Sequence, residues 1–272
     1  MEKERINRAS APKDDNDGVY HLKLRKGDVP GYILIPGAPE RTLVIAENWA
    51  DPREIASYRE YKTVTGTYKG MKQAATSTGI GCPGAEICIH ELNVVGAHTC
   101  IRVGTTGCIV PEYDLGDLII PVACVRKDGT SDTYIEPAFP AFANTRVVMA
   151  LIEACERLGF RYGLGLSYTV GSFYIGQGRP LNEDKSGYWP SCAENIIPDL
   201  MTSRVTNIEM DTAGQFVVGY LHGMRMGAVL SVISNRVLDR WGDNGGEKKA
   251  CLAACEAMVI MKEWDDKAGK LV

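Results

Sequence analysis

Three arginines lie near glycine-rich segments or the ends of strand-like runs. Arg41 closes the segment PGAPER at residues 36–41, Arg59 lies in YREY ahead of a Thr-rich stretch, and Arg102 stands in CIRVGTTG at residues 100–107. A single exposed arginine is ordinarily a solvated surface group. Arg102 differs because it interrupts an apolar run, and an inward guanidinium needs an anion or a carboxylate partner. The glycines and threonines after it, Thr105 among them, offer backbone N–H and hydroxyl donors that suit phosphate. In PGAPER a turn at Gly37 meets an expected helix start, where the helix dipole favours an oxyanion. The chemistry these positions suggest is oxyanion binding.

A second group sits in FYIGQGR, where Gln177 and Arg179 follow Phe173 and Tyr174. Gln supplies a donor and an acceptor, and Arg supplies only donors. Such an edge matches an N–H flanked by carbonyl oxygens, as on uracil, held against an aromatic face. On residue types alone, a polar loop beside a core aromatic is the better explanation of the segment. Glu209-Met210-Asp211 precedes a helical pattern and also has two readings: a carboxylate cap on the helix N-terminus, or a carboxylate accepting two sugar hydroxyls. Spacing does not choose between them. GIGCPG, from Gly79 to Gly84, fits G-x-G-x-x-G, but the acidic residue expected about 20 positions on is missing. A tight strand-to-helix turn explains it better than a dinucleotide site.

The elements that must position these residues alternate. Strand-like runs are expected at Tyr32–Ile35, Thr99–Val103, Leu118–Val125, Arg161–Val170 and Gly227–Ile233, and a hairpin at 62–77. Helices are expected at 39–50, from Pro83 through Val95, at Arg146–Leu158, from Met210 through Tyr220, and over the last segment, where Cys251, Ala254, Cys255, Met258 and Val259 share a face. Residues 176–204 lack periodicity and are expected to form a long loop or lid. The alternation predicts one α/β domain over residues 20–272, with helices on both faces of a central sheet and residues 1–19 as a flexible tail. Binding sites in such sheets lie at the carboxyl ends of strands, where all the segments above fall.

Composition narrows the function classes. The chain has 272 residues and a formal net charge of −4, with 45% apolar residues. That excludes bulk disorder, and the absence of a basic excess argues against a nucleic acid polymer as partner. Nine cysteines, an odd number without a Cys-x-x-Cys pair, and four histidines support neither a disulfide framework nor a metal cluster. No apolar run approaches the ~18 residues of a membrane span, and the polar N-terminus lacks a signal peptide's apolar core. A reduced cytoplasmic protein is expected.

PGAPER, STGIG-x-P, IRVGTTG, SFYIGQGR, NIEMD and VISNR occur in the order and spacing of nucleoside phosphorylases of the uridine phosphorylase type, and the chain resembles that family over roughly residues 19–265. The resemblance implies a central mixed, partly barrel-like sheet flanked by helices. It implies a homodimer with shared sites, in many members three dimers in a hexamer. The implied reaction is reversible phosphorolysis, in which nucleoside plus phosphate gives base plus ribose 1-phosphate, with no metal or organic cofactor. Carried over, Gly37, Arg41, Arg102 and Thr105 bind phosphate, with Arg59 donated by the neighbouring subunit. His21 reaches across the dimer to the ribose 5′-hydroxyl. The Met210 backbone and the Asp211 carboxylate meet the 2′- and 3′-hydroxyls, and Thr105 adjoins the ribose. The base lies against Phe173, with Gln177 and Arg179 on its edge, Ile233 and Ser234 along its wall, and Arg236 positioning Gln177. Arg102, Gln177, Arg179 and Arg236 are the residues expected to carry catalysis.

The Gln-x-Arg pair implies a pyrimidine, uridine first and deoxyuridine second. Asn235 stands where purine-specific relatives carry a proton-donating Asp. The family usually has Glu at the place of Asp211. Gly84 replaces a Ser that helps some members hold a monovalent cation, so no ion is expected. The competing readings are a purine or broad-specificity phosphorylase, a nucleosidase that uses water, and a catalytically silent nucleoside-binding relative.

Overall fold

Short buried strands order the chain. In the computed structural model, which describes residues 8–14, 17–182, 184 and 186–268, β1 (Tyr32–Pro36) is buried at every position. It runs through Gly37 into α1 (Pro39–Ala46), which opens on Pro39, where a missing N–H costs nothing. Three antiparallel strands follow: β2 (Ala50–Tyr58), β3 (Tyr61–Tyr68) and β4 (Met71–Thr76). The β3–β4 pair is the expected hairpin. β2 has no counterpart among the expected strands, because it carries Pro52, Asp51, Arg53 and Glu54, is bulged against β3, and is exposed along most of its length.

α2 (Cys82–Val95) buries Cys88, Ile89, Leu92 and Val95, and leads to β5 (Thr99–Cys108). β5 is longer than expected. It continues through Gly104–Gly107 in parallel register with a later strand, so this segment is strand and not a turn; on its other edge the pairing with β1 stops at Val103 and that with β9 begins at Gly107. β6 (Leu118–Lys127), β7 (Ala141–Phe142), α3 (Thr145–Leu158) and β8 (Tyr162–Val170) come next. The expected loop at 176–204 contains α4 (Ile196–Thr202), which buries none of its residues and so leaves no apolar stripe in the sequence. β9 (Asn207–Glu209), α5 (Thr212–Leu221), β10 (Arg225–Asn235), β11 (Arg240–Trp241) and α6 (Gly246–Lys267) complete the chain.

The sheet is mixed. β5 pairs with β9 and β10, β10 also pairs with β6, and β6 pairs with β8, which pairs with β9, so five strands close a ring. From β5 the sheet continues outward through β1, β4, β3 and β2 as an open arm. This is a single α/β domain whose sheet is a partial barrel flanked by helices. Ile33, Leu34, Ile101, Val103 and Leu230 pack with Leu92 of α2 and Cys251 and Met258 of α6 in the main core. Of the segment expected to be a tail, residues 1–7, 15 and 16 lie outside the described residues. Its remainder folds back through bridges Arg8–Ala11 and Lys13–Val19. Among the described residues, no helix is long and apolar enough to cross a membrane.

Candidate active site

A cavity of about 640 Å³ opens where β1, β4, β8, β9 and β10 end. It gathers Gly37, Arg41, Arg102, Thr105, Phe173, Gln177, Arg179, Met210, Asp211, Ile233 and Ser234 from five segments of the chain. His21, Arg59 and Arg236 lie outside its lining.

Arg102 forms one side. It is only 4% exposed, and its Nη2 meets Asp211 Oδ2 at 2.5 Å and Glu209 Oε2 at 3.2 Å. Burial lowers the proton affinity of its guanidinium, but Asp211 and Glu209 more than offset this and hold it charged. Nε and Nη1 have no hydrogen-bond partner although both are buried. A buried donor left unmade costs about 1–3 kcal/mol, so these two N–H groups mark a place for an acceptor. Nη1 points toward Gly37, since a Cβ there would lie 3.9 Å from it.

Two glycines of IRVGTTG leave room for neighbouring side chains. A Cβ on Gly104 would sit 2.9 Å from Arg102 Cζ, and one on Gly107 would sit 2.9 Å from Ser234 Oγ and 3.5 Å from Arg179 Nη2. The segment therefore supplies space and the Thr105 side chain, and its edge between β1 and β9 is unpaired at 104–106. The Thr106 hydroxyl is spent on the Ile208 carbonyl at 2.8 Å.

Glu209 and Asp211 divide the two readings that spacing left open. Glu209 Oε2 accepts the N–H groups of Asp211 and Thr212 at 2.8 and 2.9 Å, and its Oε1 takes the Thr169 hydroxyl. It is the capping carboxylate of α5. Asp211 makes no cap bond of its own. It faces the cavity, accepting the Gly81 N–H at 2.5 Å on Oδ1 and Arg102 on Oδ2. Burial, with the Glu209 charge beside it, raises the Asp211 carboxyl above its ordinary range, while Arg102 opposes that shift.

Arg41 lines the cavity, yet its Nη2 and Nε bond to Glu247 at 2.8 and 3.0 Å, and Nη1 approaches the Val103 carbonyl at 3.3 Å. It brings charge to the site with its donors mostly engaged.

On the opposite side, Gln177 is buried, and its Oε1 accepts from Arg179 Nε at 3.4 Å. The Arg179 guanidinium lies over the Phe173 ring at 4.7 Å and over Trp241 at 5.5 Å. Burial first, then the nearby Arg236 charge, pulls its pKa down to about 10, so added negative charge at this edge is welcome. Arg236 does not reach the cavity. It donates to the carbonyls of Gln177 and Gly178 at 2.9 and 3.0 Å, which makes it a positioning residue for the Gln177 turn. Asn235 is likewise fully committed. Its amide donates to the Val110 and Tyr113 carbonyls and accepts from Val237 and Leu238.

His21 and Arg59 share a separate surface. His21 Nδ1 is 2.8 Å from Glu91, and its ring contacts Tyr20, which contacts Tyr58. Arg59 is exposed and stacks over Tyr58. Sequence reasoning did not assign Glu247 or Trp241 to this site, and took Glu209 no further than a cap or a hydroxyl acceptor. Glu209 carried a local signal, standing two residues before Asp211. Glu247 and Trp241 carried none, because only the closure of β10, β11 and α6 over the strand ends brings them in.

Known proteins resemble the chain in sequence and in fold. The sequence model of the phosphorylase superfamily matches residues 32–259. The uridine phosphorylase of Thermococcus kodakarensis is 47% identical over 99% of this chain and 97% of its own. That of Haemophilus influenzae is 35% identical over 80% of this chain and 87% of its own. The crystal structure of uridine phosphorylase from Vibrio fischeri superposes with a TM-score of 0.77 at 27% identity, covering 88% of this chain and 96% of that one. With the family match spanning the sheet from β1 into α6, and with relatives aligned over nearly the full length, the chain belongs to the phosphorylase superfamily.

Proposed function

We propose that the protein catalyses the reversible phosphorolysis of uridine to uracil and ribose 1-phosphate. The observation that carries this reading is the pairing, across one cavity, of the Gln177–Arg179 edge with the unpartnered N–H groups of Arg102. The commitment of Asn235 to four backbone groups favours a pyrimidine, since neither its chemistry nor its position allows it to protonate a purine.

Phosphate sits between Gly37, Arg102 and Thr105, with Arg41 adding charge. It attacks the anomeric carbon as the glycosidic bond breaks and the sugar takes on oxocarbenium character. Positioning of the nucleophile by arginines supplies much of the acceleration. Asp211 and the Met210 backbone hold the ribose hydroxyls. The departing uracil gains negative charge, and Arg179 and Gln177 donate to it more strongly as that charge grows, which lowers the barrier. Phosphate is a co-substrate, and no cofactor is needed.

The working unit is a homodimer with shared sites. Supporting this, His21 and Arg59 lie outside the cavity on one aromatic surface, and β2, the outer strand of the sheet, is exposed along most of its length. Residues 20–272 form one phosphorylase domain. Nine free cysteines suit the reducing cytoplasm. Incubating the protein with uridine, with and without phosphate, and following ultraviolet absorbance tests the reading. Phosphate-dependent loss is expected, and turnover of inosine but not uridine would overturn it.

A further inference from the structure

Arg179 is a cation without a counter-ion. Among the described residues no carboxylate pairs with it, and the one hydrogen bond of its side chain there is the long contact from Nε to Gln177. Its guanidinium instead lies over two rings, Phe173 at 4.7 Å and Trp241 at 5.5 Å. Both distances fall within the ~6 Å reach of a cation–π contact. Trp241 is 64% exposed, an unusual setting for the largest side chain. Its backbone is nevertheless fixed. Trp241 pairs with Ser234 across β10–β11, and the next residue, Gly242, donates to the Ile233 carbonyl at 2.9 Å. The ring is thus anchored to the wall of the cavity that it helps to line.

An aromatic face and a carboxylate stabilise a guanidinium in different ways. A carboxylate takes the in-plane N–H groups, which is where a base carbonyl must bind. A ring face attracts the charge from above or below and leaves those donors open. We infer that Trp241 is a positioning residue that, opposite Phe173, clamps the guanidinium of Arg179 so that its in-plane donors are presented to the substrate base. This rests on the assignment of Arg179 to the base edge. Trp241 acts through Arg179 and does not itself exchange protons or electrons.

The test uses the full-length protein and whichever nucleoside it cleaves in a panel of uridine, deoxyuridine, thymidine, cytidine and inosine, so loss of the uridine assignment leaves the test intact. Trp241→Ala is expected to lower kcat/KM about 5- to 30-fold, mainly in kcat, and Trp241→Phe to recover most of it. In an Arg179→Ala background, Trp241→Ala should have almost no further effect. A second readout needs no substrate. The emission of Trp241, taken as the wild type minus Trp241→Phe, should shift when Arg179 is changed to Ala. Equal losses from Trp241→Ala with and without Arg179, or emission indifferent to Arg179, would overturn the clamp.

Discussion

Arg102 Nη2 lies 2.5 Å from one oxygen of Asp211, and the other Asp211 oxygen accepts the Gly81 N–H. The carboxylate proposed to hold the ribose is therefore tied both to Arg102, proposed for phosphate, and to the turn that opens α2. Asp211→Ala removes a charged hydrogen-bond acceptor worth roughly 1.5–3 kcal/mol, so kcat/KM for uridine should fall about 10- to 100-fold. The loss should be smaller for 2′-deoxyuridine, which has one hydroxyl fewer to lose. Steady-state kinetics on the two substrates decides the matter, and equal losses would remove Asp211 from ribose recognition.

Arg236 spans two consecutive carbonyls with two nitrogens, a fork that a lysine cannot reproduce. Arg236→Lys should leave the protein folded yet lower kcat by about 10-fold, since one bond of the pair, worth about 1 kcal/mol or more, is lost. KM for phosphate should hardly change, because Arg236 bonds to the Gln177 turn and not to the residues proposed for phosphate. An equal rise in KM for phosphate would show a general loss of structure instead.

Asp265 joins α6 to the start of the barrel. It pairs with Arg225 at 2.7 Å, accepts the Tyr32 hydroxyl at 2.5 Å, and contacts Arg146 at 3.2 Å. Hydrogen bonds from Arg225 are the largest cause of a pKa lowered from 3.8 to about 2. A depressed carboxyl contributes stability that is present above its unfolded value and is lost as pH falls through the folded one. The contribution should thus be complete above about pH 4 and fade toward pH 2. Asp265→Asn should lower Tm at neutral pH, and the two Tm curves should converge on acidification. Parallel curves down to pH 2 would count against this role.

The alternating buried strands and helices were legible because each element covers one apolar face against the sheet. Leu92 and Val95 on α2 and the apolar stretch of β10 have that simple cause. β2 and α4 were not legible, because neither buries a stripe: one is an exposed, charged outer strand and the other has no buried residue. In the site, Arg102 could be singled out because a charge within an apolar strand demands a partner, and its partners are Asp211 and Glu209. The commitment of Arg41 to Glu247 and the place of Trp241 depend on contacts between segments about 60 to 200 residues apart. No local pattern encodes those contacts.

Arg59 adopts φ +54° at the turn between β2 and β3, a conformation that glycine takes freely and arginine does not. Its side chain is exposed and bonds to no carboxylate among the described residues. The shared-site dimer proposed above gives this exposed guanidinium a use beyond its own subunit. Arg59→Gly should therefore leave Tm unchanged or slightly raised while activity collapses. If each site takes Arg102 from one protomer and Arg59 from its partner, a heterodimer of an Arg59→Gly subunit and an Arg102→Ala subunit contains one site with both arginines intact. Two inactive homodimers should then yield, on subunit exchange, heterodimers with about half the wild-type activity. If Arg59 served its own subunit, every site would keep one defect, and purified heterodimers would stay as inactive as their parents.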